Sequence, residues 1–416
     1  MTMATKNLFL PKLLDIKYDD TISIKSNIKM LGCGIGDNFT KHSYSVEHNG
    51  NIYIFGGERD DGKITNRMLK FSIFDQTISN IKYTKETPAT KLGSMVAYKG
   101  RFYLFGGIHQ EIVKSWFHCF DPLTNSWEEI NCHSKMPHLI HSHTAVVYKD
   151  EMIIYGGIRK NKICGDIYGY NFIKKSWRVL YDHRMQLYTP GARKLHQSWV
   201  VNDRMYVFSG VCPRDYFGDD GGAVDYNYDD LWYFSFITEK WKKSYFVGGN
   251  QPSCRLDFGV VVMDKRAYVM GGYGYLRVND TKNSNEVIFY NDAFEFGPRK
   301  HARETLECET TPGVLQYSWR QSFYSKTVPD FIAGHTMVTH NSKIYIIGGF
   351  NTSGAQETIY EVSFTEKKCG NCNLVQTKMK KCGKCQETFY CSAKCQADDW
   401  KKHVKTCQEK KDTMKI

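Results

Sequence analysis

Seven of the chain's 14 cysteines lie between Cys369 and Cys407, in the segments CGNC (369–372), CGKC (382–385), CSAKC (391–395) and HVKTC (403–407). With His403 they supply eight soft donors in four pairs. Zinc takes four thiolates or imidazoles in a tetrahedron, and a CxxC knuckle presents two of them from one tight turn. Eight donors therefore make two sites, and two zinc ions per chain are expected. Cys391 and Cys395, and His403 and Cys407, are each four residues apart. That spacing places both members of a pair on one face of a helix. A disulfide or redox role needs fewer ordered thiols than this.

Other candidates for chemistry carry less. The remaining cysteines (Cys33, Cys119, Cys132, Cys164, Cys212, Cys254 and Cys308) have no ligand spacing and read as buried thiols. GCGIG at 32–36 lacks the strand–helix setting and the third glycine of a dinucleotide loop. HLIHSH at 138–143 offers three imidazoles, but His143 holds the same offset from its glycines as His196 and His335, which marks a repeat position. Asp215, Asp219, Asp220, Asp225, Asp229 and Asp230 are too irregular for a calcium loop and read as an acidic rim loop. No nucleophile–base motif stands out, so catalytic residues are expected to be none.

The elements that must position the donors follow from composition. A chain of 416 residues suits one large domain plus a small one. Aromatics reach 14%, with 27 Tyr and 24 Phe, which favours strands and excludes disorder for most of the chain. No apolar run approaches the ~20 residues of a membrane span. The stretch Leu8–Leu14 holds Pro11 and Lys12 and is no secretory signal. A cytoplasmic or nuclear chain with reduced thiols is expected.

A strand running into a glycine pair recurs six times: IYIFGG at 52–57, FYLFGG at 102–107, MIIYGG at 152–157, MYVFSG at 205–210, AYVMGG at 267–272 and IYIIGG at 344–349. The first glycine position is 56, 106, 156, 209 (Ser209), 271 and 348, so the unit is about 50 residues and later copies carry insertions. A polar turn and another strand precede each copy. A third strand and then a tryptophan follow, as in FDPLTNSW (120–127), YNFIKKSW (170–177) and FSFITEKW (234–241). Each unit is thus four short antiparallel strands.

The double glycine with its spaced aromatic and tryptophan resembles the kelch repeat over residues 41–364. The resemblance implies an all-β fold, a six-bladed β-propeller with one blade per repeat. Glycines would let backbones approach near the axis, and tryptophans would fill the wedges between blades. The last copy has strands near 333–340, 343–349 and 357–364 but no room for a fourth. Thr21–Met30 (TISIKSNIKM) alternates like a strand and is expected to close the ring. The expected layout is an N-terminal segment 1–40, the propeller 41–365, a zinc finger 366–408 and a polar tail 409–416. The insertions at 211–230, 274–285 and 297–316 (the last with Arg299, Lys300 and Arg303) are expected to gather on one rim as a partner-binding surface.

The C-terminal spacing, with YCSAKCQADDWKKH, resembles the MYND zinc finger over 369–407. That family implies interleaved sites: Cys369, Cys372, Cys391 and Cys395 on one zinc, Cys382, Cys385, His403 and Cys407 on the other. It also implies capture of a proline-rich peptide beside the second zinc. The matching positions here are Gln396 and Trp400, with Gly383 at the groove's edge. An indole face suits a proline ring, although Trp400 packing between the zinc sites is the competing reading. After Thr365 there are 13 Lys against 6 Asp or Glu, +7 of the formal +12. Seven thiolates and two Zn²⁺ subtract three, so the basic excess is partly offset and nucleic acid is a poor partner.

These features point to a non-enzymatic adaptor: rim loops hold one protein partner and the finger holds a proline-rich segment of another. No membrane partner is expected. The alternatives are a substrate-recognition subunit for ubiquitin ligation, or a propeller enzyme of the copper-oxidase type.

Overall fold

A computed structural model describes residues 24–31, 40–109, 112–113, 116–132, 134, 136–185, 188–212, 226–244, 251–277, 285–299, 316–325, 332–364, 369–372, 380–385 and 388–413. The candidate loop at 32–36, all of 213–225 and the junction 365–368 lie outside the described residues. Contacts separate a unit Ile24–Thr365 from one that contains Glu366–Ile416. No helix among the described residues is long and apolar enough to cross a membrane.

Residues 24–364 build six four-stranded antiparallel blades. Blade one is Tyr44–His48, Asn51–Phe55, Met68–Ser72 and Thr77–Ile81. Blade two is Ser94–Tyr98, Arg101–Phe105, Phe117–Asp121 and Ser126–Glu129. Blade three is Thr144–Tyr148, Glu151–Tyr155, Ile167–Asn171 and Ser176–Tyr181. Blade four is Gln197–Val201, Arg204–Phe208, Leu231–Ser235 and Lys240–Lys243. Blade five is Gly259–Met263, Arg266–Met270, Ala293–Arg299 and Gln316–Ser325. Blade six is Thr336–His340, Lys343–Ile347, Ile359–Phe364 and, as its outer strand, Ile24–Leu31. Each innermost strand touches the next, and the sixth touches the first, so the ring is closed.

The outer strand of blade six pairs antiparallel with its own blade, Ile28 opposite Val362 and Leu31 opposite Ile359. It also pairs in parallel with the outer strand of blade five, Ile24 opposite Ser322 through Asn27 opposite Ser325. Two blades thereby become one continuous eight-stranded sheet.

The glycine pair has a local cause. Both glycines have positive φ, for example 67° at Gly106 and 103° at Gly107, a region open to glycine at little cost. A Cβ on Gly106 would stand 2.5 Å from the Ile140 carbonyl oxygen of the next blade. The second glycine's N–H donates across the seam: Gly57 to Thr90 O at 2.9 Å, Gly107 to Ile140 O at 2.9 Å, Gly157 to Arg193 O at 2.8 Å and Gly272 to Ile332 O at 2.8 Å. Where Ser209 replaces the first glycine, φ is 60°. Its hydroxyl accepts from Arg255 N–H at 2.8 Å, a bond to the next blade that glycine cannot make.

Each wedge between blades is filled from an outer strand by a side chain packed on the residue before the preceding blade's glycines. Trp127 meets Phe55 at 4.8 Å between centroids, Trp177 meets Phe105 at 4.7 Å, Trp241 meets Tyr155 at 5.1 Å and Trp319 meets Phe208 at 5.1 Å. Register places Ile78 at the tryptophan position of blade one, opposite Phe71, where it packs with Ile347. Ile28 takes that position in blade six and packs with Met270.

One expectation is corrected. The insertion 297–316 joins the third and fourth strands of blade five, whereas 211–230 and 274–285 join second and third strands. Successive antiparallel strands reverse direction, so these connections leave opposite ends of the blades. The insertions are therefore split between two rims. In addition, the ends of 274–285 are strand: Tyr273–Arg277 pairs with Asn285–Phe289.

Candidate functional site

The C-terminal unit is small. Lys380–Lys381 pairs with Phe389–Tyr390, and the chain then enters a helix, Ala393–Thr413. Ser392 starts the helix, its Oγ accepting from Cys395 N–H at 3.1 Å, which satisfies one of the unpaired donors of the first turn. Seven residues after Ser392, on the same helix, Asp399 accepts the Tyr390 hydroxyl at 2.8 Å. Burial and that carboxylate both push the Tyr390 phenol up.

Two groups of four donors converge here. Cys369, Cys372, Cys391 and Cys395 have their sulfurs within 4.8 Å of one another, and so do the donor atoms of Cys382, Cys385, His403 and Cys407. In the first group Sγ of Cys391 lies 3.6 Å from Cys372 and 3.4 Å from Cys395. In the second, Cys382 is 3.8 Å from Cys407, and Cys385 Sγ is 3.5 Å from His403 Nε2. Zinc–sulfur bonds of about 2.3 Å in a tetrahedron put sulfurs about 3.8 Å apart, so both groups fit a zinc ion. The second group is wholly buried and the first is partly open. The knuckles bring their sulfurs in from turns, and the helix brings in Cys395, His403 and Cys407.

Beside the second group, the Trp400 ring lies 6.1 Å from the His403 ring, edge-on. The Lys384 ammonium stands 5.0 Å from the Trp400 centroid, a cation–π contact. Trp400 and Gln396, one turn apart, are each half-buried. Gly383 is exposed, and a Cβ there would meet nothing within 4 Å. Trp400 thus both packs on the second group and leaves part of its indole in solvent.

In the propeller, a cavity of about 200 Å³ opens on the axis, lined by the residues just before and within the innermost strands. Six of the residues entering those strands share positive φ: His42, Leu92, Ser142, Leu195, Asp257 and Gly334. The next position repeats as an imidazole at His143, His196 and His335, each almost fully buried. His143 Nε2 meets Ser94 Oγ at 2.8 Å and His196 Nε2 meets Thr144 Oγ1 at 3.0 Å, both on the preceding blade. Gly259 stands at that place for His335, and a Cβ on it would lie 2.4 Å from Nε2. Burial pushes His143 down to about 3 and His335 down to about 4. His42 Nε2 and Asp257 Oδ2 pair at 2.7 Å near the axis, from blades one and five.

Reading by motif does not find two buried arginines. Arg193 is bidentate to Asp230 (2.7 and 3.2 Å) and Arg255 to Asp292 (2.6 and 3.0 Å). Each guanidinium also covers an aromatic ring, Tyr228 at 4.0 Å and Tyr290 at 4.6 Å. Both pairs are 37 residues apart, a duplicated device at the base of the hairpins that carry Tyr226 and Tyr275. The shared interval is the signal that could have found them.

Family models match the chain at three places: the KLHDC2/KLHL20/DRC7 kelch-repeats domain over residues 36–210, the kelch motif over 332–368 and the MYND finger over 369–407. A leucine-zipper-like transcriptional regulator 1 homolog of Drosophila melanogaster is 27% identical over 240 residues, 50% of this chain and 24% of that protein. An N-(sulfonatooxy)prop-2-enimidothioate sulfolyase of Thlaspi arvense is 24% identical over 243 residues, 53% of this chain and 66% of that protein. The chain thus spans from about a quarter to two thirds of these relatives. The solved structure of YjhT shares the fold, with a TM-score of 0.57 and 14% identity over 79% of this chain and 95% of that one. Repeats, closed ring and paired donor sets lead to one assignment: the chain is a kelch-repeat β-propeller protein with a C-terminal MYND-type zinc finger, a combination that supports a role in protein–protein interaction.

Proposed function

We propose that the protein is a non-enzymatic adaptor whose finger captures a proline-rich segment and whose propeller holds a second protein. The observation that carries the reading is the half-open Trp400 indole beside the second zinc group, with Lys384 on it and Gln396 one turn before. A proline ring stacks on indole, and a peptide already in an extended helix loses little entropy on docking. Gln396 supplies an amide for the peptide backbone, and bare Gly383 leaves room beside it. On the propeller, Tyr188, Tyr226 and Tyr275 are exposed around blades four and five, on the rim that carries the second-to-third-strand hairpins. Tyrosine is enriched at the centres of protein interfaces. The compartments this reading favours are cytoplasm and nucleus. The expected division of the chain is a propeller through 365 followed by the finger through 408.

The test is affinity capture with three baits: the full chain, residues 1–365, and the full chain with Trp400→Ala. Loss of the same partners with Trp400→Ala and with truncation supports finger capture, and their shared proline motif then names the ligand. Retention of those partners on residues 1–365 overturns it. Cullin-type proteins among the partners would move the reading to ubiquitin ligation. Turnover accompanied by copper would move it to the oxidase class.

A further inference from the structure

The turn between the third and fourth strands carries two successive apolar residues in blades one to four: Ile73–Phe74, Pro122–Leu123, Phe172–Ile173 and Phe236–Ile237. The first member has a packing role. Phe172 stacks on Tyr98 of the preceding blade at 4.0 Å, and Phe236 stacks on Tyr148 at 4.0 Å. The second member has none. Phe74 is 94% exposed, Leu123 91%, Ile173 66% and Ile237 74%. Repeat equivalence sets these four tips at one height on one face of the ring, opposite the rim with the axial cavity.

Several carboxylates around these turns are already ion-paired, Asp121 and Glu128 with Arg101 at 3.0 Å each, Glu151 and Glu239 with Arg178 at 2.9 and 3.4 Å, and Asp150 with Lys99 at 3.5 Å, while Asp75, beside Phe74, accepts from the Ser72 hydroxyl and Asp203 from the Tyr148 hydroxyl. Lys174, Lys175 and Lys240, beside Ile173 and Ile237, have no carboxylate partner among the described residues. Their charge is available to an anionic surface.

We propose that this face docks on an anionic lipid surface, the four apolar tips entering the headgroup region and the lysines meeting acidic headgroups. The separation of the tips is what favours lipid over protein. Each tip belongs to a different blade and is ringed by polar residues, so no continuous groove joins them. A protein partner would need four matched pockets, whereas a bilayer accepts shallow insertions anywhere on a plane. Electrostatic attraction and shallow apolar burial together give reversible attachment. The lack of a spanning helix among the described residues has no bearing on such surface contact.

The experiment is flotation of the full, zinc-loaded chain with phosphatidylcholine vesicles, with and without phosphatidylserine. Co-flotation is expected only with phosphatidylserine, and it should weaken as salt rises. Replacing Phe74, Leu123, Ile173 and Ile237 by Ser should reduce binding about tenfold or more, and so should Lys174→Gln, Lys175→Gln and Lys240→Gln together. All seven side chains are solvent-exposed, so melting should stay at the wild-type temperature. That measurement separates lost contact from lost fold. Absence of phosphatidylserine-dependent flotation at low salt overturns the proposal, as does flotation unchanged in both variants. Retention on immobilised polyglutamate without vesicle binding also overturns it, in favour of an acidic protein.

Discussion

His143 and His335 are almost fully buried, and that has a measurable cost in acid. An unfolded histidine titrates near pH 6.5, while burial in the propeller holds these two down to about 3 and about 4. Between those values the unfolded chain binds protons that the folded one refuses, so stability rises with pH. Their contribution is complete above about 6.5 and is lost as pH falls toward 4. Going from pH 7 to pH 5 should cost about 2 kcal/mol for each ring. Urea midpoints measured across this range should show it, and His143→Gln, which keeps a hydrogen-bonding group for Ser94, should flatten the slope. An unchanged slope would remove His143 from the account. The offset shared by His143, His196 and His335 was legible as repetition. The missing hydroxyl at Gly259 was not, because only the fold shows that each imidazole reaches back one blade. Arg193 and Arg255 were hidden for the same reason: their partners lie 37 residues on, beyond any local pattern.

At the scale of elements, glycine pairs and tryptophans were readable because the strand, the turn and the wedge residue of a blade follow within about 20 residues of each other. The outer strand of blade six was readable only from one side. Alternation in TISIKSNIKM marks a strand, and its register against Ile359–Phe364 follows from which residues face inward. Its parallel pairing with Gln316–Ser325 leaves no such mark, since two blade edges meet there without sharing a face. Ile28, buried opposite Val362 in the place of a tryptophan, is the residue on which this element turns. Ile28→Asp buries an unpaired charge and should cost about 3 kcal/mol or more. Thermal melting should show a lower midpoint for the whole propeller. Lys29→Ala, at an exposed neighbour, should melt like the wild type. A wild-type midpoint for Ile28→Asp would mean the strand is dispensable.

For the whole molecule, the two units are held by different forces. The propeller's core is aromatic and aliphatic, whereas the finger's buried cluster is four cysteines and Tyr390. So small an apolar core cannot hold a fold without metal. Chelation, or Cys382→Ser, should therefore expose the amides of 393–407 to hydrogen exchange while the buried indoles of Trp127, Trp177, Trp241 and Trp319 report an unchanged propeller transition. Unchanged exchange after chelation would show that zinc is not what orders the finger. The donor knuckles were legible because each is local. The charged and apolar face of the turns was not, since Phe74, Leu123, Ile173 and Ile237 look like core residues until their exposure is known.

The parallel seam has a consequence for biosynthesis. Ile24–Leu31 leaves the ribosome before any blade, yet both strands that flank it, Gln316–Ser325 and Ile359–Phe364, are translated some 300 residues later. The segment must wait unpaired while five blades are made, so the nascent chain carries an open β-edge for most of its synthesis. Such an edge invites pairing with another chain. The protein is most vulnerable to aggregation before it is finished, and chaperone demand should fall abruptly once residue 364 clears the exit tunnel.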